Sequence, residues 1–281
     1  MRYFEIQPRP PLSKYVECFW FLEGRPGQSA TPPERILPDG CVELILNFAA
    51  PFCEQKGSGG AERQPLRFLV GQITRPLLIV PTGRVHLLGI RFHPGGSRPF
   101  FPVPMQELTN QIVELESLAP RLERELFGRT ADANSIRTKI AIAEKVLLRQ
   151  IGGAGKRSSS LQGAVTRILS TAGQVSVDAL AADAGISGRQ LERRFLKEVG
   201  VGPKMLCRIL RFQRVFRAVE NNDAGWAAVA ADCGYFDQSH LIRDFQQFAG
   251  ETPSVLFASV SPLTENFTRK HRASDFYNTL A

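Results

Sequence analysis

Apolar and polar positions follow two different periods along this chain, and the change between them falls near residue 105. Before it, short runs at residues 2–7, 15–23, 41–48, 67–70, 77–80 and 85–92 carry the aliphatic, β-branched and aromatic side chains of strands, punctuated by turn signals such as Pro38-Asp-Gly40 and Pro94-Gly-Gly96. They predict a small β-barrel or β-sandwich of roughly 100 residues. From residue 105 to 151 the spacing becomes helical: Leu108, Ile112, Leu115 and Leu118 recur every three or four positions, as do Ile136, Ile140, Ala143 and Leu147. Such stripes either pack onto the strands or form a dimer seam of antiparallel helices, because both use the same apolar spacing.

The strongest pattern occurs twice. Leu180-Ala-Ala-Asp-Ala-Gly-Ile-Ser-Gly-Arg-Gln-Leu-Glu-Arg-Arg-Phe195 is answered by Val229-Ala-Ala-Asp-Cys-Gly-Tyr-Phe-Asp-Gln-Ser-His-Leu-Ile-Arg-Asp-Phe245. Asp183 and Gly185 return as Asp232 and Gly234 at an offset of 49, whereas Leu191, Phe195, Gly200 and Pro203 return as Leu241, Phe245, Gly250 and Pro253 at an offset of 50. One residue, around Phe236, has therefore been added to the second turn. Each copy predicts two short helices joined by a tight turn. Ala181/Ala182 and Ala230/Ala231 would let the helices approach closely, and Gly185 and Gly234 suit a left-handed helix end. Ser176, Ser187 and Asp237 stand where helices need N-caps. Leu191/Phe195 and Leu241/Phe245, spaced i, i+4, mark the core side.

A rotation of about 100° per residue then turns Arg189, Glu192, Arg193 and Leu196 outward on the first such helix. It does the same for Ser239, Ile242, Arg243 and Gln246 on the second, with Gln238 and His240 flanking its start. Arg pairs bidentately with guanine and Gln with adenine, so these side chains suit reading of base edges in a major groove. Residues 203–220 read as one helix opened by Pro203; at ~1.5 Å per residue it spans about 27 Å, comparable with the ~34 Å of one DNA turn. Its basic stripe of Lys204, Arg208, Arg211, Arg214 and Arg217 suits phosphates, with Arg208 and Arg217 the expected contacts and Arg211 alternatively paired with Asp232.

The block from about Leu161 to Phe257 resembles the double helix-turn-helix domain of AraC/XylS-type transcription regulators. Gly234-Tyr-Phe-Asp-Gln-Ser-His-Leu-Ile-Arg-Asp-Phe-Gln-Gln-Phe-Ala-Gly-Glu-Thr-Pro253 carries that family's most specific motif, and residues 175–187 resemble its first unit. The resemblance implies sequence-specific binding to double-stranded promoter or operator DNA. It places DNA-reading positions at Arg189, Glu192 and Arg193 in the first unit and at Gln238, Ser239, His240 and Arg243 in the second. Two departures stand out: Phe212 follows Arg211 where the family usually has Leu, and Glu192 is acidic at a reading position. In such regulators a cupin-like barrel often precedes this domain and binds a small-molecule effector. Residues 36–48 and 87–96 look like an uncharacterised sensor domain found with the family. A homodimer is expected, with RNA polymerase a further candidate partner.

Composition refines this picture. The 281-residue chain has a formal charge of +8 and a pI near 9.5, which suits a polyanionic partner. The excess is not confined to the repeat, since residues 156–260 hold 13 Lys and Arg against 10 Asp and Glu, and residues 1–155 hold 19 against 15. Local clusters therefore carry more of the argument than net charge. Cys18, Cys41, Cys53, Cys207 and Cys233 contain no C-x-x-C pair, so neither a disulfide framework nor a Cys-rich zinc site is expected. No apolar leader and no span of ~18 apolar residues occurs, so a cytoplasmic protein without membrane contact is expected. Residues 152–160 have the Gly/Ser composition of a linker. They are not a phosphate-binding loop, because Gln150 stands where Gly is required and Arg157 where Ser or Thr is required.

Within the strand region, Glu43 and Arg91 interrupt apolar runs, which marks them as candidates for effector contact or for a buried ion pair. His86 and His93 lack metal-cupin spacing, and no G-x-S-x-G elbow accompanies His93-Pro-Gly-Gly-Ser97; no metal, cofactor or catalysis is expected. The expected architecture is multidomain α+β: a β-rich cupin-like barrel or sandwich at 1–104, a helical, dimerising region at 105–151, the linker, an all-α double helix-turn-helix domain at 161–259 and a tail at 260–281. Residues 158–258 are expected to form an autonomous DNA-binding module. The alternative keeps DNA binding but makes the N-terminal domain an enzyme, as in Ada-type methyl sensors, or a protein-interaction module.

Overall fold

The structure, a computed structural model, describes residues 1–25, 33–57, 59–153, 160–220 and 225–258. The tail expected at 260–281 and most of the expected linker lie outside these residues. The N-terminal part contains β1 (Arg2–Ile6), β2 (Val16–Gly24), β3 (Glu34–Ile36), β4 (Val42–Asn47), β5 (Phe52–Gln55), β6 (Ala61–Arg63), β7 (Arg67–Val70), β8 (Leu77–Pro81), β9 (Val85–Phe92) and β10 (Ile112–Glu114). They form two antiparallel sheets, in the orders β1-β2-β9-β4-β7-β10 and β3-β8-β5-β6. The β-rich class is as expected, but four strands go beyond the expected six.

Alternation along the strands separates the faces of the larger sheet. Phe19 and Phe21 of β2, Leu44 and Leu46 of β4, and Ile90 and Phe92 of β9 point toward α1 (Leu115–Leu118), α2 (Pro120–Thr130) and α3 (Ile136–Gly153). Leu108, Leu115, Ile140, Ala143 and Leu147 are buried in that core and Leu118 and Ile136 pack half-buried against it, so most of both apolar stripes of residues 105–151 lies on the sheet. Ile112 is not helical: it pairs with Val70 at the sheet edge, where its backbone gains ladder hydrogen bonds that a helix would have made internally. On the opposite face Trp20, Leu22, Ile45 and Leu87 meet Phe52 and Ile79 of the smaller sheet. Gly89 lies opposite Trp20 in register, and a Cβ there would come within 1.9 Å of the indole Cε2, so the bare backbone is what seats the ring.

The C-terminal part is helical: α4 (Ser160–Ser170), α5 (Val177–Asp183), α6 (Gly188–Val199), α7 (Pro203–Glu220), α8 (Trp226–Asp232), α9 (Gln238–Ala249) and α10 (Pro253–Ala258). One core joins Ile168, Leu180, Leu191, Phe195 and Leu206; a second joins Phe212, Phe216, Val229, Leu241, Phe245 and Phe248. Phe212, the departure from the family's usual Leu, is fully buried and meets the rings of Phe216, Phe245 and Phe248 at 4.8–5.3 Å, so the added volume builds an aromatic cluster.

The second helical core is not made from helices alone. Leu37, which follows β3, is only 5% exposed and belongs to the buried cluster that holds Ile209, Phe212 and Phe245. Burying such a side chain stabilises by about 1.5–3 kcal/mol. Polar contacts fix the loop around it: Gln213 Nε2 donates to the Pro38 carbonyl at 2.5 Å, and Arg35 pairs with Glu251 at 2.7 Å. Gly40, at φ +85°, lies so close to α7 that a Cβ would be 3.0 Å from Leu206 Cδ1. Further along the seam, Thr109 Oγ1 donates to the Gly200 carbonyl at 2.7 Å. The sheet region and the helical region are thus docked through loop 35–41 and the turn near residue 109.

Candidate DNA interface

The repeat's local chemistry sets both outward helices. Ser176 accepts from the Ala179 amide to start α5, and Ser187 forms a reciprocal capping box with Gln190 to start α6. Asp237 accepts from the His240 amide at 2.6 Å to start α9. Gly185 and Gly234 hold φ of 62° and 77°, the left-handed values that end α5 and α8. Of the expected alanine pairs, Ala181 and Ala230 are buried, while Ala182 and Ala231 are exposed; one small residue per pair makes the helix contact.

On α6, Arg189, Glu192 and Arg193 are exposed and Leu196 is half-buried, as the rotation predicts. Together with Ser187, Gln190 and Gln106 they line an open cleft of about 620 Å³. Glu192 has a structural neighbour: a Cβ on Gly202 would come within 2.1 Å of its Oε1. Its carboxylate therefore lies against the residue that leads into α7, where the helix N-terminus favours negative charge. On α9, Gln238, Ser239, Arg243 and Gln246 are exposed and His240 is half-buried, its ring edge-on to Tyr235 at 5.1 Å. Arg243 Nε donates to the Ser239 carbonyl at 3.3 Å, which lays its side chain back along the exposed face.

The basic stripe of α7 divides. Arg217 and Lys204 are exposed. Arg208, expected on phosphate, instead donates to Asp244 at 2.7 and 3.1 Å and to Gln247 at 2.6 Å, so its guanidinium ties α7 to α9. The reason is Asp244: only 1% exposed, it needs a cation across the interface. Spacing held this signal, since Asp244 follows Leu241 by three residues and shares the buried side of α9. Arg211 is not the partner of Asp232. It donates to the Gly173 carbonyl at 3.3 Å and lies over the Tyr235 ring, while Arg214 pairs with Asp232 at 3.3 Å.

The N-terminal candidates come together. Glu43 and Arg91 face each other in register on β4 and β9, and Arg91 also lies opposite Cys18 of β2. Arg91 is 2% exposed, with its Nε 2.7 Å from Glu43 Oε1 and 3.6 Å from Asp39, and its Nη1 3.7 Å from Glu5. Trp20 Nε1 donates to Glu43 at 3.1 Å, and Tyr3 donates to Glu5. Burial pushes the Glu43 carboxyl above the usual carboxylate range against the pull of Arg91. Burial opposes the charge on Arg91, but Glu43 and its neighbours override it and hold the guanidinium firmly protonated. The arrangement is that of a buried ion pair with two further carboxylates around the cation. Asp39 also accepts from the Cys41 amide at 2.8 Å, so the cluster anchors the loop that inserts Leu37.

The other candidates stay apart. His86 packs edge-on against Phe21 and Phe48, and burial lowers its pKa. Among the described residues no three His, Cys, Asp or Glu side chains converge on a metal site, and no helix is long and apolar enough to cross a membrane.

Two families match the chain. Residues 4–114 match a domain of unknown function (DUF6597), and residues 180–270 match a helix-turn-helix domain. No curated protein matches. Among solved structures, ToxT from Vibrio cholerae is similar at 10% identity and a TM-score of 0.44, over 87% of this chain and 98% of that one. An apo variant of ToxT is similar at 8% and 0.45, over 86% and 98%. ToxT bound to an unsaturated fatty acid is similar at 8% and 0.41, over 86% and 97%. The chain carries an AraC-type helix-turn-helix DNA-binding domain in its C-terminal part, behind an N-terminal domain of the DUF6597 family.

Proposed function

We propose that the chain is a cytoplasmic, sequence-specific transcription regulator whose two helix-turn-helix units read successive major-groove segments of promoter DNA. The observation that carries this is the pair of capped helices α6 and α9, which expose Arg193 and Arg243 at equivalent repeat positions and are joined by the unbroken 18-residue α7. Arg189, Arg193, Gln238, Ser239, His240 and Arg243 are the proposed readers, Arg217 a phosphate contact, and Glu192 and Arg208 residues that orient the helices. The proposed working units are 1–104 with 105–151 as sensor and 161–259 as DNA-binding domain. A second copy of the chain and RNA polymerase complete the proposed partners. No catalytic step is part of this reading.

Replacing Arg193 or Arg243 by Ala should cost about 1–3 kcal/mol on the specific site and relax discrimination at one or two base pairs. Arg217→Ala should weaken specific and scrambled duplexes about equally and lower the salt slope by about one. Arg208→Ala should lower thermal stability and leave the salt slope unchanged. Binding of each variant to both duplexes across a salt series decides: proportional losses on both DNAs for Arg193→Ala and Arg243→Ala would make them phosphate clamps and reject the reading face.

Control by a small molecule bound to the N-terminal domain is the second part of the proposal. It is supported by the buried polar cluster around Glu43 and Arg91, which reaches the helical region through Asp39 and Pro38. A thermal-shift screen of the full chain should find a compound that, at about 100 times its Kd, adds ~2.7 kcal/mol of stability. Glu43→Gln, which keeps an acceptor for Trp20, should reduce that shift while basal DNA affinity is unchanged. A bound compound whose shift is indifferent to Glu43→Gln would move the effector site elsewhere.

A further inference from the structure

Phe236 is 94% exposed, the most exposed large apolar side chain among the described residues. Single exposed apolar residues are common on protein surfaces; what sets this one apart is its place in the repeat. The Ile186 amide donates to the Ala181 carbonyl at 3.1 Å, and the Tyr235 amide donates to the Ala230 carbonyl at 2.9 Å, so Tyr235 is the structural counterpart of Ile186. Ser187 caps the next helix immediately after Ile186, whereas Phe236 intervenes between Tyr235 and the cap Asp237. Phe236 is therefore the added residue.

An apolar residue just before an N-cap ordinarily packs against the fourth residue of its helix. For α9 that residue is Leu241, which is fully buried in the second helical core, and Tyr235 occupies that core beside it. The packing role is already filled, and the insertion leaves the phenyl ring outside. Its chain neighbours Asp237, Gln238 and Ser239 are exposed with it. The ring thus stands at the N-terminal end of α9, the end of a recognition helix that meets base edges.

We infer that Phe236 is a specificity-determining contact of the second unit, entering the major groove beside Gln238 and packing on the C5-methyl of a thymine, the apolar feature that groove presents. This rests on the reading of α9 as a recognition helix. The first unit has no counterpart, so the thymine requirement falls in one half-site alone and fixes the direction in which the chain lies on the duplex.

The test uses the full chain and duplexes that it selects from a randomised pool. Each thymine of a selected duplex is replaced in turn by deoxyuridine, which removes only the methyl. For the wild-type chain one substitution, in one half-site, should weaken binding about fourfold, the worth of one buried methyl. Phe236→Ala should bind the unmodified duplex at least as weakly and be indifferent to that deoxyuridine; the side chain is exposed, so the fold is not at risk. If the chain selects DNA but Phe236→Ala keeps the wild-type affinity and deoxyuridine pattern, the inference falls while the recognition-helix reading stands. Should that variant instead bind DNA normally and lose only transcription with purified RNA polymerase, the ring is a protein contact and the thymine assignment is overturned. If no duplex is selected, the reading of α9 itself fails, and the inference with it.

Discussion

Replacing Arg91 by Met should lower the unfolding stability of the sheet region by about 3–5 kcal/mol, the usual cost of removing one partner from a buried charge pair. The variant keeps the volume but leaves Glu43, Asp39 and Glu5 facing one another without their cation. In a Trp226→Phe background Trp20, hydrogen-bonded to Glu43, reports that region's unfolding by fluorescence in a urea titration, and in a Trp20→Phe background Trp226 reports the helical region. Wild-type stability in the Trp20 transition would mean that Arg91 is held for something other than pairing. Glu43→Gln should cost less, because Arg91 retains Asp39 and Glu5.

A second large effect is expected far from its cause in sequence. Leu37→Ala should destabilise the helical region by about 2–5 kcal/mol, the range for truncating a buried Leu, and should appear in the Trp226 transition although residue 37 lies in the sheet region. For the same reason residues 158–258 expressed alone, although they carry the complete repeat, should unfold at lower urea than the same helices in the full chain. Equal midpoints for fragment and full chain would show that the second core closes without Leu37.

The sequence revealed the parts whose signals are local. Caps at Ser176, Ser187 and Asp237, left-handed glycines at 185 and 234, and the buried pairs Leu191/Phe195 and Leu241/Phe245 each act within a few residues, and the structure has them all. Strands β3, β6 and β10 were not legible, because three residues cannot show alternation and Ala61–Arg63 is exposed throughout. Ile112 matched a helical period by coincidence and is held as a strand by its long-range partner Val70. Arg208 looked like its basic neighbours on α7 until Asp244 was placed opposite it. Glu43 and Arg91 were visible as charges in apolar strands. A buried ion pair was one of the two readings they allowed; what decides for it is the register of β4 against β9, which joins residues 48 positions apart in sequence.

Leu37 also limits how this chain can be recombined. A hybrid cut at the Gly/Ser segment and joined to a foreign sensor would keep every helix of the DNA-binding part and still lack one side chain of its interior. The donor half, grafted elsewhere, would carry an uncovered leucine, a Pro38 carbonyl that has lost Gln213 and an Arg35 parted from Glu251. Working chimeras should therefore transplant residues 35–41 together with the helices, or fill the vacancy from the helix side by enlarging Ile209 or Val215. Modularity in this protein follows the packing boundary, which the order of residues along the chain does not mark.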